Sequence, residues 1–285
     1  MEPHPDPCTL LCVGEVVWDL FPEGPCLGGA PFNVAVHLAR LGFRTTLLTA
    51  LGQDELGQAA LAFLEREGIP GAQLHPEAPT GTVTVALDSR GEPTFAIQPR
   101  CAWMELDFGH PALPRAPTGV VFGGLAMHGP GNREGLARYL ARAVPHWHLC
   151  DLNLRPGWAD PEVVRWCLAH ADVLKVNAEE WHVLRSQIGC EGDLPAWLAQ
   201  TSLTAVCLTL GPEGLRWVGR DGTDLHLPAP VPCGGVVDTV GAGDAVTAGV
   251  ASGLARSEAP AVFLQRSLQA AAEVCGHPGA LPPRR

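Results

Sequence analysis

The feature that most limits the fold of this 285-residue chain is a regular alternation of strand-like and helix-like segments. A first strand is predicted for TLLCVGEVVWDL, and a helix for residues 30–41, where Val34, Leu38 and Leu41 lie on one face. A second strand follows in TTLLTALG, and a second helix in ELGQAALAFLEREG, which ends at Gly68. Because parallel strands need helical crossovers, this order predicts an α/β fold: a mostly parallel sheet with helices on both faces.

The alternation is interrupted once, by a predicted β-hairpin over residues 80–98. Two strands with alternating side chains, TGTVTVALDS and PTFAIQPR, flank the short segment RGE. A hairpin in such a protein lies off the main sheet, where it is well placed to cover a binding site. Arg100, just beyond the hairpin, is a candidate substrate contact, and an exposed arginine with surface contacts alone is an equal alternative.

The overall composition excludes several classes of partner. The net charge is −11, Lys175 is the only lysine, and no basic run is present, so we expect no nucleic-acid partner. No apolar stretch is long enough to cross a membrane and the N-terminus lacks a basic signal region, so we expect a soluble, cytoplasmic protein. The ten cysteines are scattered without a C-x-x-C motif, which predicts free, inert thiols.

The most informative segment is DTVGAGDAVTAG, residues 238–249. Gly241 and Gly243 allow a tight turn, and the apolar run after them predicts a helix whose first N–H groups have no partner. Such a helix start binds anions, for example a phosphoryl group. Asp244 lies at the same place and could accept a proton from a hydroxyl group. The alternative is a simple turn in which the aspartate caps the helix.

The two commonest nucleotide-binding loops are absent from the sequence. There is no G-K-[ST] segment, and no G-x-G-x-x-G follows the first strand. The missing glycine fingerprint also disfavours a dinucleotide-dependent dehydrogenase.

Together with GGAPFNVAVHLARLG at residues 28–42, the segment DTVGAGDAVTAG resembles the two signatures of the ribokinase/PfkB carbohydrate kinases, in the family's order. The similarity runs from about Val13 to Pro282. It implies one PfkB-type kinase domain over residues 1–285 with a ribokinase-like three-layer fold. It also implies a small β lid, with strands contributed by about 15–27 and 80–100.

The resemblance implies roles for the residues of both signatures. Asp19, Gly28, Gly29 and Asn33 would bind the sugar, and an asparagine amide offers a ring hydroxyl both a donor and an acceptor. Asp244 would be the catalytic base. The N–H groups of the turn would stabilise the transferred phosphoryl group; these residues are Gly241, Ala242 and Gly243.

Three further segments match the family in the same order. DLNLRPGW supplies Asp151, Asn153 and Arg155, which by alternation would share one side of a strand end and contact the substrate. KVNAEE supplies Asn177, beside the nucleotide, and Glu180, which would hold Mg²⁺ through water. TLGPEG would border the nucleotide with three residues: Thr209, Gly211 and Gly214.

The resemblance therefore implies ATP-dependent phosphorylation of a sugar hydroxyl, with Mg²⁺ and, as a family option, a monovalent cation such as K⁺ near Asp238. The start GGAP and the segment DLNLRPGW resemble fructokinases more than ribokinases, which makes fructose the first candidate. The alternative substrate is 2-keto-3-deoxygluconate, whose carboxylate Arg100 could clamp.

Two further expectations concern activity and assembly. A catalytically inactive, sugar-binding regulatory relative is the alternative from another class, and the presence of Asp244 and both glycines argues against it. Dimers through the lid occur in relatives, so the resemblance implies a homodimer of this kind as an option for this chain, and the sequence itself does not set the oligomeric state.

Overall fold

The computed structural model describes residues 8–22, 24–87, 93–189 and 192–284. The strands are β1 (Thr9–Val13), β2 (Val17–Phe21), β3 (Gly24–Gly28), β4 (Arg44–Gly52), β5 (Ala72–His75), β6 (Gly81–Leu87), β7 (Pro93–Ile97), β8 (Gly119–Gly123), β9 (Trp147–Asp151), β10 (Val173–Asn177), β11 (Ala205–Thr209), β12 (Leu215–Gly219) and β13 (Asp224–Leu227). The α-helices are α1 (Ala30–Arg40), α2 (Glu55–Glu67), α3 (Pro130–Ala143), α4 (Pro161–His170), α5 (Ala178–Ile188), α6 (Leu194–Ala199), α7 (Ala242–Ala255) and α8 (Pro260–Cys275). Short 3₁₀ turns cover Ala102–Met104, Leu125–His128 and Gly211–Glu213.

The large sheet has the strand order β13-β12-β11-β10-β9-β8-β1-β4-β5. All strands from β11 to β5 are parallel, and β12 runs antiparallel to both of its neighbours. The chain continues from β1 to β4 on one side and later places β8 on the other. Such a change in direction leaves a crevice at the carboxyl ends of the strands, where α/β proteins bind their ligands.

Apolar cores lie on both faces of the large sheet, as the long apolar strands predict. In β1, Leu11 and Val13 pack into one core, while Leu10 and Cys12 pack into the other. Helices α3 to α6 cover the first face, and α1, α2, α7 and α8 cover the second. The expected α/β, ribokinase-like three-layer fold is therefore confirmed.

A second, small sheet has the order β3-β2-β6-β7 and corresponds to the expected β lid. Strands β6 and β7 are antiparallel, with Val83 opposite Ile97, so the predicted hairpin forms. Its turn, residues 88–92, lies outside the described residues. Strand β2 runs parallel to β6, and the indole N–H of Trp18 donates to the carbonyl of Leu56 in α2 at 3.0 Å. This bond attaches the small sheet to the main body.

The described cysteines are free thiols, and most of them are buried in the cores. Cys190 lies outside the described residues. None of the helices in the described ranges combines the length and the hydropathy that a membrane span requires.

Helix α7 is positioned by close packing against α8 through Gly249. A Cβ atom at this position would lie 2.2 Å from Ser267 Oγ and 2.8 Å from its Cα atom. We expect Gly249→Ala to lower the free energy of unfolding by about 1–3 kcal/mol, because backbone and side chain of α8 must move to relieve the overlap. Urea denaturation monitored by circular dichroism measures this change.

Gly131→Ala is the matched control, because no atom lies within 4 Å of a Cβ built at that exposed position in the first turn of α3. We expect its stability to be unchanged or slightly raised. Equal stability of the two variants would show that α7 and α8 do not depend on this contact.

Candidate active site

Helix α7 begins at the glycine-rich turn, beside the carboxyl edge of the large sheet. Gly241 is the N-cap and has a φ of 80°. Asp238 fixes the turn, because its carboxylate accepts hydrogen bonds from the N–H groups of Val240 (3.0 Å) and Gly279 (2.8 Å). The C-terminal segment of the chain therefore holds the start of α7 in place.

The first N–H groups of α7 differ in their partners. Ala242, which was predicted to donate to a phosphoryl group, here donates its N–H to the carbonyl of Thr239 at 3.2 Å, within the turn itself. Within the described residues the N–H groups of Gly241, Gly243 and Asp244 have no hydrogen-bond partner. These are the donors that the positive end of the helix dipole presents to an anion.

Asp244 is held by a hydrogen bond from Asn33, which lies in α1. The Nδ2 group of Asn33 donates to Oδ2 of Asp244 at 2.7 Å. Asn33 is only 4% exposed, and its Oδ1 atom has no partner although it is buried. The two residues that the signatures select thus meet, and the buried acceptor next to them has no hydrogen-bond partner.

The surroundings of Asp244 shift its protonation. Burial raises the pKa of Asp244 to about 6, and the neighbouring carboxylate of Asp151 contributes to the rise. The hydrogen bond from Asn33 and the positive charges of Lys175 and Arg155 oppose it. Asp244 is therefore a weak base that is ionised at neutral pH, which suits the transfer of a proton from a hydroxyl group.

A second buried carboxyl group, Glu15, belongs to the same cluster. It follows β1 at the carboxyl edge of the sheet, is 3% exposed, and its Oε2 atom has no hydrogen-bond partner. Burial raises the pKa of Glu15 to about 7; the charge of Arg155 opposes the rise, and those of Asp244 and Asp151 add to it. The sequence signatures do not single out Glu15. The sequence pattern that could have identified Glu15 is a charged residue directly after the apolar segment of β1, a strand inside the large sheet.

The glycine pair of the first signature brings the chain close to Glu15 and Asp19. Gly29 has a φ of 115°, and a Cβ atom there would lie 2.6 Å from the carbonyl oxygen of Glu15, so a side chain is excluded. A Cβ atom on Gly28 would lie 3.4 Å from Asp19 Oδ2. Burial raises the pKa of Asp19, and Arg155 acts in the opposite direction. One wall of the candidate site is therefore formed by four residues: Glu15, Asp19, Gly28 and Gly29.

The sequence model of the pfkB family carbohydrate kinases matches residues 26–284. The chain belongs to this family. It is therefore a sugar kinase, a phosphotransferase that acts on an alcohol group. The glycine turn and the asparagine of the two sequence signatures both lie within the matched residues and converge in the site described above.

Named relatives of this kinase include a fructokinase from Klebsiella pneumoniae, 32% identical over 87% of this chain and 85% of that protein. An aminoimidazole riboside kinase from Salmonella typhimurium is 28% identical over 86% of this chain and 80% of that protein. Among solved structures, a double mutant of Vibrio cholerae fructokinase in fructose, ADP and potassium ion bound form has a TM-score of 0.79 and 25% identity. The match covers 96% of this chain and 94% of that one.

In this kinase the segment DLNLRPGW does not continue as a strand. Strand β9 ends at Asp151, and Asn153 has a left-handed φ of 42°, so the predicted alternation of the three residues is wrong. Asp151 faces inward: Lys175 Nζ lies 3.0 Å from Oδ1 and Thr247 Oγ1 lies 2.6 Å from Oδ2. Arg155 is exposed, and its charge acts on Glu15, Asp19 and Asp244.

Asn177 and Glu180 form a capping box at the start of α5. Asn177 Oδ1 accepts from the N–H of Glu180, and Glu180 Oε2 accepts from the N–H of Asn177, both at 2.8 Å. The other oxygen of Glu180 accepts from the N–H of Leu154 at 2.9 Å. Glu180 therefore joins α5 to the loop that carries Arg155. Each carboxylate oxygen keeps a second lone pair with which it could accept from a water molecule.

The remaining predicted residues lie in three places. Thr209 ends β11 and its hydroxyl lies 3.4 Å from the carbonyl of Val176, while Gly211 is exposed directly after it. Gly214 is buried against β13, where a Cβ atom would lie 1.9 Å from the carbonyl of Leu227. Arg100 is exposed after β7 with a φ of 63°.

The ionisation of Asp244 can be measured directly. In protein labelled with ¹³C at the aspartate carboxyl group, the signal that disappears in Asp244→Asn is expected to titrate near pH 6. In Asn33→Ala the same signal is expected to titrate at higher pH, because a hydrogen bond that stabilises the carboxylate is lost.

Asp221, which is fully exposed, provides the internal control. Hydrogen bonds from Thr223 lower the pKa of Asp221, and Asn33→Ala should leave its titration unchanged. An Asp244 signal that titrates at the ordinary value for an exposed aspartate would refute the proposed burial.

Proposed function

We propose that this PfkB-family kinase transfers the γ-phosphoryl group of ATP to a hydroxyl group of fructose. The observation that carries the proposal is the carboxylate of Asp244 at the start of α7. It lies beside unpaired N–H groups and is hydrogen-bonded to Asn33. A base and an anion site in contact are what the transfer of a phosphoryl group to an alcohol requires.

In the proposed reaction Asp244 accepts the proton of the attacking hydroxyl group as the new O–P bond forms. The bond between the γ-phosphorus and the β,γ-bridging oxygen of ATP breaks, and ADP leaves. The N–H groups of Gly241 and Gly243 donate to the oxygens of the transferred phosphoryl group. The turn holds these N–H groups in place before the reaction begins, so little reorganisation is needed. Positioning and electrostatic stabilisation supply most of the rate in reactions of this kind.

The sugar would lie between the glycine pair and Asp244. Asn33 Oδ1 and Glu15 Oε2 are buried acceptors without partners, and Asp19 is a third acceptor at the wall. A buried acceptor without a partner costs free energy, so this group favours a ligand that offers several hydroxyl donors. Arg155 and Arg100 are the predicted donors to the sugar. The charge interaction of Arg155 with Asp19 supports the first of them.

The nucleotide would lie along the carboxyl edge of β10 and β11, beside Asn177, Thr209 and Gly211. The described residues contain no group of three or more His, Cys, Asp or Glu side chains that could hold a metal ion. A Mg²⁺ ion that enters with the nucleotide fits such a site, because Glu180 could accept a hydrogen bond from one of the water ligands of the ion. Bound there, Mg²⁺ would neutralise charge on the β- and γ-phosphates.

A monovalent cation beside Asp238 is also part of the proposal. The Vibrio cholerae fructokinase structure was obtained with potassium ion, and Asp238 here organises the turn before α7. For the assembly we propose a homodimer through the small sheet, where Leu20 and Phe21 of β2 are 36% and 38% exposed.

Electrostatics favours a neutral sugar over a keto acid. Glu15, Asp19 and Asp244 are acidic groups in one cluster, with the positive charge of Arg155 acting on all of them. The carboxylate of 2-keto-3-deoxygluconate would add a further negative charge to this cluster, whereas fructose would not.

The first test replaces the proposed base. Asp244→Asn is expected to lower kcat by about 10²–10⁴-fold, because the hydroxyl group loses its proton acceptor while the amide keeps the shape of the side chain. Coupled detection of ADP measures kcat, and calorimetry with fructose measures sugar binding, which should change little.

Asp221→Asn is the control for the chemical change, since Asp221 is exposed in the turn between β12 and β13. Its kcat should equal that of the wild type. A wild-type kcat in Asp244→Asn would show that Asp244 is not the base. If the wild-type protein binds sugar but does not turn over ATP, the alternative of a catalytically inactive, sugar-binding regulatory protein is favoured.

The second test compares substrates at fixed ATP: fructose, 2-keto-3-deoxygluconate, aminoimidazole riboside and ribose. We expect kcat/KM for fructose to exceed that of each other compound by about tenfold or more. The keto acid is disfavoured because it adds a negative charge to the acidic cluster, and the preference over the two neutral compounds rests on the similarity to fructokinases. ATP turnover without sugar gives the background. Turnover of the keto acid with none of fructose would overturn the sugar assignment and leave the kinase assignment intact.

A further inference from the structure

Lys175, the only lysine of the chain, is buried beneath the phosphoryl-binding turn. It lies in the middle of β10, and its side chain is 6% exposed. Its Nζ atom lies 3.0 Å from Oδ1 of Asp151, whose side chain is 4% exposed. The two neighbouring strands β9 and β10 thus place an ion pair inside the protein at the edge that carries the active site.

The ion pair is connected to the first turn of α7. The hydroxyl oxygen of Thr247 lies 2.6 Å from Oδ2 of Asp151 and 3.0 Å from the carbonyl oxygen of Gly243. A Cβ atom built on Gly243 would lie 3.0 Å from Lys175 Nζ, which places the ammonium group directly against this turn. The contacts therefore lead from Lys175 to the residue whose N–H faces the proposed phosphoryl group.

The ammonium group stays charged in this position. Burial alone would lower the pKa of Lys175, but the carboxylates of Asp151, Glu180 and Asp244 raise it above its usual range. Lys175 in turn favours the ionised form of Asp244. The groups that act on Asp244 are Asp151 from β9, Lys175 from β10, Arg155 from the loop after β9, and Asn33 from α1. The carboxyl group of Glu15, which follows β1, interacts with Asp244 as well.

A buried ion pair is a weak source of stability, because the loss of hydration offsets most of the attraction between its charges. The position of the Lys175–Asp151 ion pair explains its presence better than a contribution to stability does. A fixed positive charge behind Gly243 adds to the field of the helix dipole at the point where phosphoryl charge would arrive.

We propose that Lys175 is a positioning residue for phosphoryl transfer: through Asp151 and Thr247 it holds the Gly243 turn, and its ammonium group places a positive charge directly behind that turn. The proposal rests on the role of Asp244 as the base.

The test isolates the charge of Lys175 from the loss of the ion pair. Asp151→Asn is compared with Asp151→Asn/Lys175→Met, since both lack the ion pair and only the first keeps the lysine, whose charged form Glu180 and Asp244 still favour. Thermal unfolding confirms that both are folded. The pH dependence of kcat/KM and the separate values of kcat and KM are then measured with Mg²⁺, ATP and the best sugar.

If the proposal holds, kcat in the double variant is lower than in Asp151→Asn by about 10–100-fold, and KM for the sugar changes little. The rising limb of the pH profile moves to higher pH, because Asp244 loses a neighbouring positive charge. Equal kcat and equal pH profiles in the two variants would overturn the proposal. Asp244→Asn, measured in parallel, reports on the base independently: wild-type kcat there would refute the base whatever Lys175 does.

A second measurement needs no substitution. Because the chain has a single lysine, protein labelled with ¹³C at lysine Cε gives one lysine signal. We expect this signal to shift when β,γ-methylene-ATP and Mg²⁺ are added, since the triphosphate brings negative charge to the turn above Nζ. A signal that stays unchanged at saturating nucleotide and sugar would also overturn the proposal, even if the variants fail to fold.

Discussion

The hydrogen bond between Asn33 and Asp244 is the contact on which the site depends. It joins two side chains that are 211 positions apart, one in α1 and the other in α7. The bond forms because α1 and α7 pack on the same face of the large sheet. Each residue alone has an ordinary structural explanation. Together they place an amide, a carboxylate and the start of a helix at one point.

The second constraint is the balance of charge at the carboxyl edge of the sheet. Glu15, Asp151 and Asp244 bring carboxyl groups into a poorly hydrated region, which raises the pKa of Glu15 and of Asp244. Lys175 and Arg155 supply the opposing charge, one buried and one exposed. This balance makes Asp244 the more readily ionised of these two carboxyl groups near neutral pH. A neutral ligand rich in hydroxyl groups suits such a cluster better than an acidic one.

Several residues contribute to structure and to the site at the same time. Glu180 completes the cap of α5 and holds the N–H of Leu154, so a change there would move the loop that carries Arg155. Asp151 connects β10 to α7 through Lys175 and Thr247. The interior of the sheet edge and the binding surface are therefore one network, which explains why polar residues occur at strand ends that would otherwise be apolar.

Sequence alone was enough for the alternation of strands and helices, the hairpin around residues 80–98, and the glycine turn before α7, because these depend on local propensity and short-range periodicity. It also selected Asn33 and Asp244 through their motifs. The tertiary structure decided that Ala242 uses its N–H within the turn, that Asp151 points to Lys175, and that Glu15 joins the cluster. Hydrogen-bond partners and burial depend on which distant strands become neighbours, and no local pattern in the chain records that.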